Sequence, residues 1–237
     1  MDFEKYYMEN LKDTKQKLKE SVKFDDFIVQ AINNIDEINR VVNTLAKRLR
    51  DWYEFYNPEF SREVYDHEEF VNAVIERKDK KKKDSMGADI DKEDMKPILD
   101  LAKGIESLFK LKKEQEKYLE KIMEDNCPNI SAVAGSLIGA RLIAIAGDLK
   151  RLVLFPASTV QLLGAEKALF RHMKTKAKAP KYGVIIKHPL VARVSKGKKG
   201  KAARKLADKI LLAAKIDYFK GEFIGDKLRK EVEEEFK

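Results

Sequence analysis

Residues 164–175 read GAEKALFRHMKT, and the local pattern predicts a short amphipathic helix here. The preceding residues, PAST at 156–159, include two hydroxyl side chains that favour helix starts. Ser158 or Thr159 is therefore predicted to cap the helix that follows. Three cations spaced i, i+4 and i+7 share one face of that helix: Lys167, Arg171 and Lys174.

A cationic helix face can bind phosphate oxygens, or it can simply be a solvated surface. The charge around it favours the first interpretation. Residues 150–215 hold 18 Lys or Arg and only 2 Asp or Glu, whereas residues 1–127 are mildly acidic, with 25 basic and 30 acidic side chains. A basic half in a chain of net charge +9 is typical of proteins that bind nucleic acid or an anionic surface.

The sequence argues against several other classes of function. One cysteine, Cys127, and three scattered histidines exclude an internal disulfide and a Cys/His metal set, and they fit a reducing compartment. We find no nucleophile beside a base and no phosphate-binding glycine loop, so we expect neither an enzyme nor a cofactor. The N-terminus does not resemble a signal peptide, and no apolar run has the length of a membrane span. The basic helices also lack the exposed aromatic face of a membrane-surface binder.

Two long segments carry heptad-like apolar spacing, which predicts two helices packed as a long antiparallel coiled coil. In the first, the apolar positions alternate by four and three residues: Phe24, Ile28, Ala31, Ile35, Ile38, Val42, Leu45, Leu49 and Trp52. In the second they run from Ile98 to Ile122, with Lys112 and Gln115 making the middle polar. The basic stretch at 77–84 is predicted to be a loop, either a solvated tip or a nonspecific RNA contact.

The sequence Cys127-Pro128-Asn129 predicts a domain boundary. Residues 1–127 are expected to form a helical coiled-coil dimerisation domain, and residues 128–237 a compact all-α domain whose positive charge makes it a candidate to bind nucleic acid. Residues 130–145, rich in small side chains, are predicted to form one buried helix. The first long helix is expected to supply the contacts of a homodimer: Ile28, Ile35, Ile38, Val42, Leu45 and Leu49.

Residues 128–185, PNISAVAGSLIGARLIAIAGDLKRLVLFPASTVQLLGAEKALFRHMKTKAKAPKYGVI, resemble the Nop domain of the Nop family. Residues 32–60, INNIDEINRVVNTLAKRLRDWYEFYNPEF, resemble the coiled coil of the same family. Its members include the core proteins of box C/D ribonucleoproteins, of the Nop56 and Nop58 type, and their archaeal counterparts. The resemblance therefore implies an all-α fold, a long antiparallel coiled coil followed by a compact helical Nop domain.

The resemblance also implies partners. The Nop domain binds kink-turn RNA of a box C/D guide RNA jointly with a small kink-turn-binding protein, and the coiled coil mediates dimerisation. The protein is then a scaffold for guided 2′-O-methylation of ribosomal RNA. Family members carry an N-terminal domain that holds the methyltransferase fibrillarin, and only residues 1–20 precede the coiled coil here. We therefore expect a truncated chain, with fibrillarin docking a property of the full-length family. The location is expected to be cytoplasmic for an archaeal source, which the composition favours, and nucleolar for a eukaryotic one.

Matched residue by residue, the family's RNA contacts fall on five positions in this sequence: Ala157, Ser158, Lys181, Arg204 and Lys215. The cationic face adds Lys167, Arg171 and Lys174. Arg204 and Lys215 are 11 residues apart, which places them on one helix face. An alternative remains, that the chain is a coiled-coil interaction module whose basic half does not bind RNA.

Overall fold

The computed structural model describes residues 3–77 and 85–236, and helices form all the regular structure in these ranges. The predicted all-α fold is confirmed. The basic tip at residues 78–84 lies outside the described residues. A 3₁₀ turn, Val184–Lys187, stands between the tenth and eleventh α-helices. The helices in chain order are α1 Phe3–Ser21, α2 Phe24–Tyr53, α3 Pro58–Glu63, α4 His67–Glu76, α5 Lys92–Asn126, α6 Pro128–Ala134, α7 Ser136–Ala146, α8 Leu149–Leu154, α9 Ala157–Leu162, α10 Glu166–Thr175, α11 Pro189–Arg193, α12 Lys199–Tyr218 and α13 Gly225–Glu235.

The chain divides into two units. Unit A comprises residues 1–32 and 118–237, and unit B comprises residues 33–117. This division differs from a boundary at Cys127, because the first part of α2 and the last part of α5 cluster with the C-terminal helices. The two long helices therefore each belong partly to both units. The assignment of separate dimerisation and RNA-binding domains is a functional statement, and it stays a proposal.

Unit B is built around one face of α2. Tyr53 near the end of α2 and Met95 near the start of α5 line the same cavity, so the two helices run antiparallel within this unit. The shorter helix α4 contributes Phe70, which is fully buried and makes edge contacts with the Tyr53 ring. The buried cluster draws on α2, α4 and α5: Ile38, Val42, Leu49, Tyr53, Phe70, Val71, Val74, Ile98, Ala102 and Ile105.

The buried face of α2 does not follow the heptad to its end. Trp52, predicted to point inward, is 38% exposed, and Tyr53 is buried in its place. Two turns earlier Leu45 is half-buried, whereas Ala46 is fully buried. A straight α-helix has 3.6 residues per turn, so its inward face drifts by about 20° per heptad relative to a 3.5-residue repeat. The drift leaves a second apolar stripe of α2 at the surface of unit B.

The predicted dimer contacts need a correction. Five of the six side chains are buried within the single chain, so they stabilise its own core and are not free to contact a second copy. Only Leu45 remains partly exposed. The heptad pattern correctly identifies apolar positions, but it does not say which helix covers them. The five buried residues are Ile28, Ile35, Ile38, Val42 and Leu49.

Arg50 of α2 fixes the connection between α3 and α4. Its Nη1 donates to the Ser61 carbonyl (2.8 Å), its Nη2 to the Asp66 carbonyl (3.0 Å) and its Nε to Nδ1 of His67 (3.2 Å). The guanidinium carbon lies 4.3 Å from the centre of the Phe70 ring, within range of a cation–π interaction. Burial lowers the pKa of Arg50, yet guanidinium stays charged in proteins. One side chain thus ties α4 to α2.

In unit A, residues 130–145 form two helices where one is predicted. Gly135 has a φ of +79°, a conformation that side chains with a Cβ rarely adopt, and α6 and α7 meet there at an angle of 113°. The small residues do allow close packing, as predicted. A Cβ at Gly139 would lie only 2.5 Å from Cγ2 of Ile130 and 2.9 Å from Cε of Met123.

No single helix among the described residues is long and apolar enough to cross a membrane. The pair α6 and α7 passes that test only when both are taken together, by length and composition, and the pair is sharply bent.

Helix α12 organises unit A, packing against α6, α8, α9 and α13. Near its end the buried carboxylate of Asp217 accepts three hydrogen bonds from the start of α6. The Asn129 backbone N–H (3.1 Å) and side-chain Nδ2 (2.7 Å) donate to Oδ1, and the Ile130 N–H (2.8 Å) donates to Oδ2. Burial raises the pKa of Asp217, and these hydrogen bonds oppose the rise. The carboxylate therefore satisfies donors of α6 that have no partner within that helix.

A second aspartate plays a similar part at α8. Asp25, on the first turn of α2, accepts the Leu149 N–H through Oδ2 at 3.3 Å and is 8% exposed. Cys127 is fully buried, and burial raises the pKa of its thiol, so it is a packed side chain as predicted. Asp25 and Asp217 together tie α2 and α12 to the short helices of the C-terminal half.

His188 caps the short helix α11, its Nδ1 accepting the Leu190 N–H at 3.3 Å. Burial lowers the pKa of His188 below its ordinary value of 6.5, and the positive charge of Arg229 lowers it further. Arg193 also disfavours the imidazolium, while Glu233 and a hydrogen bond to the Val133 carbonyl favour it. A charged imidazolium could not accept the Leu190 hydrogen bond. The hydrogen bond from Leu190 therefore favours the neutral form of the His188 imidazole.

We predict that Asp217→Ala destabilises unit A by about 3 kcal/mol, because it leaves the Asn129 and Ile130 donors buried without an acceptor. The measurement is urea unfolding followed by circular dichroism. Asp208→Ala, an exposed aspartate on the same helix, is the matched control and should change stability by less than about 0.5 kcal/mol. Equal effects of the two substitutions would contradict the capping role.

We also predict that acid weakens the fold through His188. Its folded pKa is depressed, so its contribution to stability is present above pH 6.5 and is lost as the pH falls towards the folded pKa. Each proton taken up only by the unfolded chain lowers the free energy of unfolding by at most about 1.4 kcal/mol per pH unit. His188→Asn keeps a capping side chain that does not titrate. Its urea midpoint should fall less between pH 7 and pH 5 than that of the unmodified chain, and parallel curves would refute the assignment.

Candidate nucleic-acid interface

The cationic helix begins later in the chain than predicted. Residues 157–162 form a helix of their own, α9, and α10 starts only at Glu166. Pro156 precedes α9 as its N-cap and Ala165 precedes α10, and neither helix has a side-chain cap, so Ser158 and Thr159 do not cap the cationic helix. Gly164, with a φ of +85°, makes the turn between the two helices.

The positions carried over from the family fall on three neighbouring elements of unit A. Ala157 and Ser158 form the first turn of α9, Lys181 lies in the loop after α10, and Arg204 and Lys215 lie on α12. Helix α12 packs directly against α9. Ser158 and the three cations are exposed, and Ala157 is half-exposed. The fold thus brings four of these positions to one region and places Lys215 about 16 Å from Arg204 along α12, by a rise of about 1.5 Å per residue.

Gln161, which the sequence does not mark as functional, joins the three elements. Its side-chain Nε2 donates to the Lys181 carbonyl at 2.6 Å and, more weakly, to the Gly200 carbonyl at 3.4 Å. Its own backbone carbonyl accepts the Gly183 N–H at 2.8 Å. One residue of α9 therefore contacts both ends of the 181–183 segment and the first turn of α12. No sequence signal indicated this, because a lone glutamine in a short helix has no characteristic pattern.

Gly183 lets the basic loop approach α9 closely. A Cβ at this position would lie 1.9 Å from the Leu163 carbonyl oxygen, a distance that real side chains do not reach. The next residue, Val184, donates its N–H to that same carbonyl at 2.8 Å. The loop is therefore fixed to the end of α9 by its backbone, and Lys181 is held two residues from the point of closest approach.

Helix α10 carries the second group of cations. Lys167, Arg171 and Lys174 are all exposed, and α10 has no buried residue. Glu166, at the start of the helix, accepts the Gly164 N–H through Oε1 at 2.6 Å. The structure thus confirms that this face is solvent-exposed, and it leaves the binding of RNA there as a proposal.

The cations of α12 divide into two faces. Lys201 and Lys205 pair with Glu235 of α13 at 3.3 and 3.0 Å, and Lys209 pairs with Glu231. The hydrogen bond from Lys209 lowers the pKa of Glu231, as expected for an ion pair. The acidic spacing of α13 opposite lysines spaced by four residues was a signal that sequence reasoning could have used. These three lysines face carboxylates before any RNA is present.

The cations of the candidate interface, unlike these three lysines, lack carboxylate partners in the described part of the chain. Within residues 3–77 and 85–236, none of the six has an acidic partner: Lys167, Arg171, Lys174, Lys181, Arg204 and Lys215. In the same ranges no group of three or more His, Cys, Asp or Glu side chains is placed to hold a metal ion. The exposed chemistry of this surface is therefore that of positive charge, which suits phosphate.

Comparison with known proteins identifies the family. The sequence model of the Nop family, described as "snoRNA binding domain, fibrillarin", matches residues 34–237. The chain belongs to the Nop family. The resemblance seen in the two quoted segments is confirmed, and the match extends over α3, α4 and the C-terminal helices as well.

Individual Nop relatives agree. An uncharacterised NOP5 family protein of Methanocaldococcus jannaschii is 38% identical over 236 residues, covering 89% of this chain and 57% of that protein. Nucleolar protein 56 of Saccharomyces cerevisiae is 36% identical, covering 93% of this chain and 50% of that protein. The chain thus spans about half the length of these curated relatives. The crystal structure of a fibrillarin/Nop5p complex matches with a TM-score of 0.60 at 27% identity, covering 98% of this chain and 78% of that chain.

We predict that the two faces of α12 contribute unequally to RNA binding. Arg204→Ala with Lys215→Ala should lower the affinity for RNA about 10- to 100-fold and reduce the slope of log K against log salt by about two. Lys201→Ala with Lys205→Ala removes the same charge from the same helix and is the matched control. It should change affinity by less than about threefold, because those lysines already have carboxylate partners. Gel-shift titrations across salt measure the RNA affinity of both double variants. Equal losses of affinity would contradict the division of α12 into a paired and an unpaired cationic face.

Proposed function

We propose that this chain acts as a scaffold in a box C/D guide-RNA ribonucleoprotein that directs 2′-O-methylation of ribosomal RNA. In this role it binds kink-turn RNA jointly with a small kink-turn-binding protein. The observation that carries the proposal is that Gln161 joins α9, the loop at Lys181 and the first turn of α12, one helical turn before Arg204. Both cations are exposed and have no acidic partner among the described residues. Membership of a family described by its snoRNA-binding domain supports it.

The scaffold binds and positions, and it performs no chemistry itself. Fibrillarin supplies the methyltransferase activity in the proposed particle, which is consistent with the crystal structure of a complex between fibrillarin and the relative Nop5p. We place no fibrillarin contact on the described residues. The proposed location follows the source of the chain, the cytoplasm in an archaeon and the nucleolus in a eukaryote.

The deciding experiment is a gel-shift titration of the full chain against three probes. These are kink-turn RNA alone, the kink-turn-binding protein alone, and the two together. Joint recognition predicts that the chain binds the RNA–protein complex at least about tenfold more tightly than either component, a coupling of roughly 1.4 kcal/mol. A chain that binds none of the probes, yet still self-associates, would instead be a coiled-coil interaction module.

Dimerisation is the second part of the proposal, and the structure changes which residues we assign to it. Val41 and Trp52 of α2 are 46% and 38% exposed, and with the half-buried Leu45 they follow the 4-7 spacing of one helix face. Phe55, which is 68% exposed, lies in the turn directly after α2. This stripe continues the heptad on the side of α2 that the core of unit B leaves uncovered. We infer that a second copy of the chain packs against it.

We predict that Val41→Lys with Phe55→Lys weakens the dimer about 100-fold without unfolding the chain, because both side chains already lie at the surface. Sedimentation equilibrium measures the dissociation constant, and circular dichroism verifies that the helices persist. Tyr65→Lys, also in unit B and 90% exposed, is the control and should leave the dimer intact. An unchanged dissociation constant in the double variant would exclude this stripe as the dimer contact.

A further inference from the structure

We propose that Gln161 is a positioning residue of the RNA interface, acting through Lys181 and the start of α12 without itself contacting RNA. The inference rests on the proposed RNA binding. It assigns a role to a side chain that has no charge.

The side-chain amide of Gln161 bridges two separate segments of the chain. Its nitrogen has two hydrogens, and two backbone carbonyls lie within hydrogen-bond distance, those of Lys181 at 2.6 Å and Gly200 at 3.4 Å. The two carbonyls belong to separate segments, the loop after α10 and the first turn of α12, and this one amide contacts both. No apolar side chain of the same length can make this bridge.

The lysine that the bridge holds is Lys181. A Cβ at Gly200 would lie 3.6 Å from Cδ of Lys181 and 3.7 Å from its Cβ, so the Lys181 side chain runs over the first turn of α12. Arg204 follows Gly200 by one helical turn and points from the exposed side of α12. The distance between these two cations is therefore set by how the loop is attached to the helix.

Losing that attachment has a cost for the position of Lys181. Residues 176–182 form no regular secondary structure, so Lys181 depends on its contacts for a fixed position. The backbone contact from Gly183 to Gln161 remains when the side chain is changed, and it keeps the loop near α9. Loss of the amide bridge thus frees Lys181 without unfolding the domain, and ordering it again on RNA costs conformational entropy.

The experiment uses Gln161→Met, which keeps the length of the side chain and removes both donors. The probe is kink-turn RNA bound to the kink-turn-binding protein. We expect affinity to fall about fivefold and the salt slope to fall by up to about one, as for a lost phosphate contact. The thermal midpoint should shift by less than about 2 °C, within the range of a half-exposed polar substitution.

The decisive readout is a double-mutant cycle with Lys181→Ala. If Gln161 acts through Lys181, adding Gln161→Met to Lys181→Ala should weaken binding by less than about twofold further. A merely structural role would give fully multiplicative losses. Gln161→Asn, whose shorter amide cannot reach both carbonyls, provides a second variant should the methionine variant prove unstable, and it should lose affinity to a similar extent.

Gln30→Met, an exposed glutamine of α2 in the same unit, is the matched control and should bind as the unmodified chain does. Failure of the unmodified chain to bind the probe would refute the proposed function itself. Normal binding by the unmodified chain and equally tight binding by both Gln161 variants would overturn only the positioning role of Gln161, as would multiplicative losses in the cycle.

Discussion

The structure of unit A depends on the carboxylate of Asp217. It lies near the end of the longest helix of the C-terminal half and accepts three hydrogen bonds from the first turn of α6. Helix α12 also packs against α8, α9 and α13, so the carboxylate joins the start of α6 to the helix that serves as the frame for those three. A buried carboxylate is costly unless its oxygens are hydrogen-bonded, and both oxygens of this one are. The basic surface is assembled on that frame.

Only some of the described cations on that surface have carboxylate partners. Helix α12 has lysines and an arginine on two faces, but the acidic helix α13 pairs with only one of them. On the other face, Arg204 lies one helical turn after Gly200, where Gln161 joins α12 to the loop at Lys181. Net charge alone would have treated every cation of the basic half as equivalent. The three-dimensional arrangement instead concentrates unpaired charge where three chain segments meet, which is the property that a phosphate-binding surface requires.

Sequence reasoning predicted the helical class, the family and the exposed cations, because these depend on periodicity, on a long quoted motif and on local charge. It failed where packing between distant segments decides. The heptad identified Ile38 and Val42 as apolar and predicted a packed second helix, but these residues were also assigned to a dimer contact, although both are buried in one cluster with residues of α4 and α5. It could not foresee the break at Gly135, since SAVAGSLIG is equally compatible with one helix. The role of Gln161 depends on two carbonyls far away in sequence, which no local pattern reveals.

The way the basic loop is attached has a consequence for substitutions within it. Three of its hydrogen bonds to α9 and the residue after α9 use only backbone atoms on the side of this segment: the carbonyl of Lys181 and the N–H groups of Gly183 and Val184. Apart from the glycine, the course of the loop is therefore independent of which side chains it carries. A substitution at Lys181 would therefore change the charge that the loop presents, while the backbone hydrogen bonds that place the loop stay the same.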